Sequence, residues 1–127
     1  MKGKKWYNGK KVMVTGSSGF IGKNLVNRLK SEGAQVIEIS RQSNHDITNW
    51  DCIKSIRKID VIFHLAALSF IPLTQKNPME TINTNLLGTL NILELCRLNK
   101  AKMIFTSSYI YGEPKYLPVN EDDPSNP

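Results

Sequence analysis

The sequence is poor in the features that mark secreted, membrane-spanning and metal-binding proteins. Its 127 residues include only two cysteines and two histidines. Cys52 and Cys96 both fall in segments with helical patterns, so no disulfide framework is indicated and a reducing, cytoplasmic location is expected. No apolar run reaches the roughly 20 residues of a membrane span, and the start lacks the apolar segment of a signal peptide. His45 and His64 have no partners at ligand spacing, so no metal site is predicted.

Acidic residues are also outnumbered, by 17 lysines and arginines to 11, which gives a formal net charge of +6. Much of the excess lies in residues 1–10, where lysines surround Trp6 and Tyr7. Because lysines neutralise phosphates and aromatic rings stack on bases, nucleic acid is one alternative partner. These lysines share no helix or strand face, however, and a solvated basic leader (residues 1–10) before one domain (residues 11–127) is favoured. Neither nucleic acid nor a membrane is expected as a partner.

Short apolar runs alternate with helical patterns from residue 11 onward. The runs predict strands at residues 11–15, 35–40, 60–65 and 103–107, and a very short strand at 46–47. Apolar runs without polar alternation indicate strands buried on both faces, as in a parallel sheet. Strands joined by crossover helices run parallel with helices on both faces. The expected fold class is therefore α/β, a Rossmann-type doubly wound parallel sheet in three α/β/α layers, incomplete at its C-terminal side.

Three helices are predicted between these strands. The first follows a glycine loop, and its buried stripe is expected to consist of Ile21, Leu25, Val26 and Leu29. The second covers residues 48–58. The third is predicted to start at Asn77 as N-cap, with Pro78 first and Glu80 completing a capping box, and to reach about residue 98. Its sheet-facing stripe is expected to be Ile82, Leu86, Leu90 and Leu93.

The glycine loop between the first strand and the first helix has the context that a phosphate-binding motif requires. It reads Gly16-Ser17-Ser18-Gly19-Phe20-Ile21-Gly22. Gly16 permits a tight turn, Gly19 removes the side chain where backbone would meet a pyrophosphate, and Gly22 allows close packing of helix on strand. Amides around residues 18–21, at the positive end of the helix dipole, would hold the phosphates. The alternative is a purely structural turn built of small residues.

This loop resembles that of the short-chain dehydrogenase/reductase superfamily, in particular its extended branch of NAD(P)-dependent nucleotide-sugar epimerases, dehydratases and reductases. The resemblance covers nearly all of residues 11–127 and rests on five segments in order: TGSSGFIG at 15–22, Asp46-Ile47, HLAA at 64–67, NLLGT at 85–89 and TSSYIYG at 106–112. It implies that Asp46 and Ile47 meet the adenine ring, and that Leu65, Ala66 and Ala67 line the ribose and nicotinamide side. It also brings Asn85 and Thr106 to the cofactor, while His64 is expected to be a core residue.

The end of the second strand bears on which dinucleotide is bound. Relatives that prefer NAD carry an acidic residue there, whereas this chain has Ser40 followed by Arg41. A guanidinium pairs with a 2′-phosphate that a carboxylate would repel. NADP is therefore favoured over NAD, and the alternative is a solvated Arg41 with NAD bound.

The resemblance also implies a catalytic serine, Ser107, with Ser108 less favoured. The family's acid–base tyrosine belongs to a YxxxK motif, in which a lysine lowers the phenol pKa. Tyr111 does not qualify, because Pro114 would break the helix that brings Lys115 onto its face. The motif is expected just past Pro127, so the chain is interpreted as the N-terminal, inactive portion of a longer enzyme acting on a nucleotide sugar.

Two further expectations follow. The strand ending at Thr106 would leave an unpaired sheet edge, and association into a homodimer is a hypothesis drawn from that edge. The competing functional class is a non-catalytic NAD(P)-binding module that senses redox state or regulates a partner.

Overall fold

A computed structural model describes residues 5–107 and 109–127 of the chain. Strands β1 (Lys11–Thr15), β2 (Gln35–Ile39), β3 (Val61–His64) and β4 (Lys102–Phe105) form one parallel sheet in the order β2-β1-β3-β4. The helices are α1 (Phe20–Ser31), α2 (Trp50–Ile53), α3 (Ile71–Lys76), α4 (Pro78–Ile82) and α5 (Gly88–Asn99). The predicted Rossmann-type α/β fold is confirmed.

Each face of the sheet carries its own apolar cluster, and this explains the uninterrupted apolar strands. Alternate residues of β1 point to opposite faces, so Met13 belongs to one cluster while Val12 and Val14 belong to the other. Helix α1 covers the second cluster with residues such as Leu29, and α5 covers the first with residues such as Leu95. The sheet is thus the middle of three layers.

The long predicted helix is divided, and its predicted buried face is wrong. A π-helical turn (Asn83–Leu87) separates α4 from α5. The stripe expected to face the sheet is instead 48–59% exposed: Ile82, Leu86, Leu90 and Leu93. Gly88, Ile92, Leu95 and Cys96 are buried in its place. Because α5 carries apolar residues on two faces, helical periodicity alone could not identify the buried one.

Smaller differences concern the other predicted elements. Ile21 is 63% exposed, so the buried stripe of α1 consists of Val26 and Leu29, with Leu25 half-buried. Residues 46–47 form a turn rather than a strand, and the helix predicted for residues 48–58 is limited to Trp50–Ile53.

The described part of the basic leader packs on the domain rather than extending into solvent. Tyr7 packs against the α1-side cluster, with its ring 6.2 Å from that of Phe63. Lys10 Nζ lies 4.4 Å from the centre of the Trp6 ring, and Lys5 Nζ donates to the Ser31 carbonyl at 2.8 Å. These contacts make residues 5–10 part of the folded unit. None of the helices in residues 5–107 and 109–127 is long and apolar enough to cross a membrane.

Candidate functional site

A groove of about 510 Å³ lies at the carboxyl edge of β1, β2 and β3. This is the edge at which open parallel sheets bind their ligands. Its lining includes most of the residues expected to bind cofactor: Gly16, Ser18, Gly19, Ser40, Arg41, Asp46, Ile47, Leu65, Ala66 and Ala67. Phe20, Ile21, Gly22, Asn85, Thr106 and Ser107 do not belong to the lining. The groove thus unites the four separate segments in which these predicted residues lie.

The floor of the groove is the glycine turn between β1 and α1. Gly16 has φ of +68°, and a Cβ there would stand 2.9 Å from the amide nitrogen of Ala66. A Cβ on Gly22 would stand 2.1 Å from the carbonyl oxygen of Gly16. Both positions therefore require glycine, the first for its backbone angle and the second for close packing of α1 on the turn.

Helix α1 presents its N-terminus to the groove without a side-chain cap. Gly19 is the N-cap residue, and no side chain accepts from the first turn. The amide of Lys23 donates to the carbonyl of Gly19, so the amides of Phe20, Ile21 and Gly22 precede the first intrahelical bond. The Phe20 side chain is 89% exposed. Phe20 and Ile21 can thus contribute backbone amides, together with the positive end of the helix dipole.

The end of β2 contributes hydroxyl groups and a cation. Ser40 and Ser43 form a reciprocal cap, in which the Ser43 amide donates to Ser40 Oγ at 3.3 Å and the Ser40 amide donates to Ser43 Oγ at 3.0 Å. Arg41 Nη1 lies 3.0 Å from Glu80 Oε1 of α4. Both members of this ion pair are exposed, so it is weak and can exchange for another anion.

Asp46 and Ile47 form a second wall of the groove. Asp46 Oδ1 accepts from the amide and the hydroxyl of Thr48, each at 2.8 Å. Ile47 is buried, and its carbonyl accepts from Asn91 Nδ2 at 2.8 Å. A Cβ on Gly88 would stand 2.6 Å from Ile47 Cδ1, which explains a glycine at the start of α5. Helix α5 therefore fixes this wall.

The segment after β3 closes the third side with small residues. Leu65 and Ala66 donate their amides to Thr15 Oγ1, each at 3.1 Å. Asn85 lies outside the groove lining and holds the backbone of Leu68 by two hydrogen bonds, of 2.8 and 2.9 Å. Asn85 thus supports the segment rather than lining the groove. His64 is buried, as expected for a core residue.

The predicted catalytic element lies beyond the groove lining. Thr106 Oγ1 is 3.4 Å from the His64 carbonyl, and Ser107 is exposed, with its Oγ 3.4 Å from the Tyr109 amide. Ser108, the alternative candidate, lies outside the described residues. Tyr111 donates its hydroxyl to the Glu121 carbonyl at 3.4 Å.

Sequence reasoning missed several groove residues. They are Ile39, Gln42, His45, Thr48, Glu80, Asn83 and Thr84. Glu80 was expected to complete a capping box with Asn77, but the Asn77 side chain makes no cap hydrogen bond and Glu80 pairs with Arg41 instead. The sequence contains a partial signal for this ion pair, because Glu80 and Arg41 carry opposite charges and each lies in a segment that follows a strand of the sheet.

Known proteins are similar to this chain over most of its length. The model of the NAD dependent epimerase/dehydratase family matches residues 12–127. A putative UDP-glucose 4-epimerase of Methanocaldococcus jannaschii is 35% identical over 91% of this chain and 44% of its own length. UDP-glucuronic acid decarboxylase 1 of Danio rerio is 31% identical over 89% of this chain and 31% of its own length. The chain therefore spans less than half of the length of these relatives.

Solved structures share the fold. Epimerase Mth375 of Methanothermobacter thermautotrophicus superposes with a TM-score of 0.78 at 30% identity, covering 94% of this chain and 42% of that one. MoeE5 in complex with UDP-glucose and NAD gives 0.74 at 29% identity, covering 92% and 42%. RMD from Pseudomonas aeruginosa complexed with NADPH gives 0.70 at 27% identity, covering 93% and 43%.

Proposed function

The chain belongs to the NAD dependent epimerase/dehydratase family, and from that membership we propose that residues 11–127 are the cofactor-binding part of an enzyme that acts on a nucleotide sugar. The observation that carries the proposal is the glycine turn between β1 and α1, which leads into the groove and leaves the N-terminus of α1 without a side-chain cap. Donor amides and a positive dipole at one point suit a pyrophosphate.

The remaining lining fits the two ends of a dinucleotide. The pyrophosphate would bind at residues 18–21, the adenosine between Arg41 and the Asp46-Ile47 wall, and the nicotinamide ribose along Leu65, Ala66 and Ala67. Small side chains permit close approach of a flat ring on that side. When bound, the dinucleotide supplies reversible hydride acceptance, and the chain's residues orient it and exclude water.

For the dinucleotide itself we propose a preference for NADP(H) over NAD(H). Arg41 follows β2 and lies at the groove, where it can pair with a 2′-phosphate in a two-pronged bond. Its present partner, Glu80, is held only by an exposed ion pair. Solved structures that are 29% and 27% identical to this chain are complexes with NAD and NADPH, respectively. The proposed preference therefore depends on Arg41 in this chain.

Chemistry on the sugar would need groups in addition to those in the groove. Ser107, at the end of β4, is proposed to hydrogen-bond the substrate oxygen whose carbon is oxidised and reduced. A tyrosine–lysine pair of the YxxxK type would move the proton. The competing proposal is a non-catalytic NAD(P)-binding module, supported by the fact that neither YxxxK match in the described residues, at 7–11 and at 111–115, lies on a helix. Finding YxxxK encoded downstream in the gene would decide for the enzyme.

The binding proposal is tested by calorimetric titration of the chain with NADPH and NADH, comparing wild type with Gly19→Asp. Aspartate is a good N-cap and Gly19 has φ of −73°. Its Cβ would stand 3.2 Å from the Gly16 carbonyl oxygen, a tight contact that a small backbone shift relieves, so the fold should persist. The carboxylate would occupy the helix end and repel the pyrophosphate, and we expect affinity to fall at least tenfold (about 1.4 kcal/mol). Unchanged affinity in a folded Gly19→Asp variant would place the dinucleotide elsewhere and defeat the proposal.

The cofactor preference has its own test. Arg41→Ala should reduce NADPH affinity by about tenfold while leaving NADH affinity within about twofold. Arg97→Ala is the matched control, because Arg97 is also exposed and ion-paired but lies on α5, away from the groove lining. Equal losses of affinity for NADPH and NADH would show that Arg41 does not bind the 2′-phosphate.

A further inference from the structure

The last residue of β3 is a buried histidine that is hydrogen-bonded at both ring nitrogens. His64 is 2% exposed. Its Nδ1 lies 2.8 Å from Thr15 Oγ1 of β1, and its Nε2 lies 3.0 Å from Thr89 Oγ1 of α5. The Phe105 ring of β4 stacks on the imidazole at 5.7 Å between centroids. The imidazole therefore connects two strands and a helix, and His64 directly precedes the groove-lining residues 65–67.

Thr15 Oγ1 can accept only two hydrogen bonds, and this limit fixes the direction of the other hydrogen bonds in the cluster. Thr15 Oγ1 accepts from the amides of Leu65 and Ala66, and these fill its two lone pairs. Its own proton must therefore be donated to His64 Nδ1, which accepts only when unprotonated. A neutral imidazole then carries its proton on Nε2 and donates it to Thr89 Oγ1.

The chain of hydrogen bonds continues to the far end of the groove wall. Thr89 donates its hydroxyl to the backbone carbonyl of Asn85 at 2.6 Å. The side chain of Asn85 in turn holds both backbone polar groups of Leu68. Residues 65–68 are thus fixed at one end by Thr15 and at the other by Asn85. His64 and Thr89 together join the two ends, with the His64 ring in direct contact with Thr15.

We propose that His64 is a positioning residue for the cofactor: locked as the neutral Nε2–H tautomer between Thr15 and Thr89, it holds residues 65–68 against the Gly16 turn and so sets dinucleotide affinity. The inference rests on the proposed function. Its geometric basis is the close packing of this segment on the turn, where even a Cβ on Gly16 would stand 2.9 Å from Ala66 N. A segment released from either end would enter the space the dinucleotide needs.

Protonation of His64 would break this arrangement. A proton on Nδ1 would point at Thr15 Oγ1, whose lone pairs are already taken by two amides. The groups that face the ring from β1, α5 and β4 are Thr15, Thr89 and Phe105, and none of them carries a charge that could stabilise an imidazolium. Burial lowers the pKa of His64, which keeps the ring neutral at physiological pH. Dinucleotide affinity should then fall as the pH drops through that lowered pKa.

The test combines nitrogen-15 NMR of the histidine rings with NADPH titration of the chain. His45→Gln assigns the second histidine. In wild type we expect His64 Nδ1 to resonate as an unprotonated nitrogen and Nε2 as a protonated one at neutral pH. Thr89→Val removes the acceptor of Nε2–H and should weaken NADPH binding about tenfold. Thr89→Ser keeps the hydroxyl and should stay within about twofold of wild type.

Several outcomes would overturn the inference. They are a protonated Nδ1 in wild type, or a folded Thr89→Val variant with wild-type affinity. Should Thr89→Val not fold, the wild-type pH titration decides, because affinity that is unchanged while the His64 resonances titrate contradicts the proposal. Failure of the proposed function is distinguishable, because a chain that binds no dinucleotide still reports the tautomer. In that case, hydrogen exchange at the amides of Leu65 and Ala66 measures whether Thr89→Val loosens the segment.

Discussion

Replacing Gly22 by alanine should separate the packing of the glycine turn from ordinary helix propensity. The new Cβ would stand 2.1 Å from the Gly16 carbonyl oxygen and 2.8 Å from Ser17 Cα. Both are backbone atoms, so no side chain can rotate away. The first contact is about 1.3 Å short of the van der Waals separation near 3.4 Å, and relief requires the start of α1 to move by a comparable distance.

The expected cost follows from two opposed terms. Overpacking typically destabilises by about 1–3 kcal/mol, whereas alanine in place of glycine within a helix gains about 1 kcal/mol. Because both contacts are to backbone, we place the overpacking at or above the top of its range, which leaves a net loss of at least about 2 kcal/mol. The same movement displaces the amides of residues 20 and 21, so NADPH affinity should fall at least tenfold.

Urea denaturation followed by circular dichroism, with NADPH titration of the folded variants, measures both effects. Asn27→Ala is the matched control, because Asn27 is an exposed residue of the same helix and its replacement changes propensity without a clash. If Gly22→Ala unfolds at the same urea concentration as Asn27→Ala and binds NADPH like wild type, the close packing of α1 on the turn is refuted.

Three other outcomes are expected. Glu80→Gln should free Arg41 and raise the NADPH-to-NADH affinity ratio several-fold. The urea midpoint should barely change, because the ion pair is exposed. An unchanged affinity ratio would contradict competition between Glu80 and the 2′-phosphate for Arg41. Ellman's reagent should modify Cys52 before Cys96, because Cys96 is buried and burial raises its thiol pKa; simultaneous reaction would contradict this. Because the His64 pKa is lowered in the folded state, the unfolded chain binds the proton first, so the free energy of unfolding should fall below about pH 6.5. His64→Gln should flatten that dependence, as measured by urea titrations at several pH values.

The sheet could be predicted from the sequence because its strands are covered on both faces. A strand such as β1, with Val12, Met13 and Val14 fully buried, must be apolar throughout and stands out as an unbroken run. The glycine turn was equally predictable, because backbone angles and clashes at Gly16 and Gly22 allow no other residue there. Strand burial and turn geometry each restrict the residue types at a few neighbouring positions, so both can be recognised in a short stretch of sequence.

Long-range contacts decide which face of α5 is buried and which residues form the outer rim of the groove. A local sequence pattern therefore could not predict either feature. Leu90 and Leu93 form a stripe as regular as that of Ile92 and Leu95, and only the docking of α5 on the sheet decides which is buried. Gly88 was the better signal, since it marks the face that approaches Ile47. Glu80 likewise joins the groove only through folding, which places α4 beside the end of β2.

The missing cap on α1 links ligand binding to folding. A helix whose first amides have no internal partner is stabilised by whatever anion occupies that end, so the chain should melt at a higher temperature as ligand is added. A ligand present at 100 times its Kd stabilises the folded state by about 2.7 kcal/mol. Hydrogen exchange in residues 20–22 should slow first and most, which makes the start of this helix a built-in reporter of occupancy.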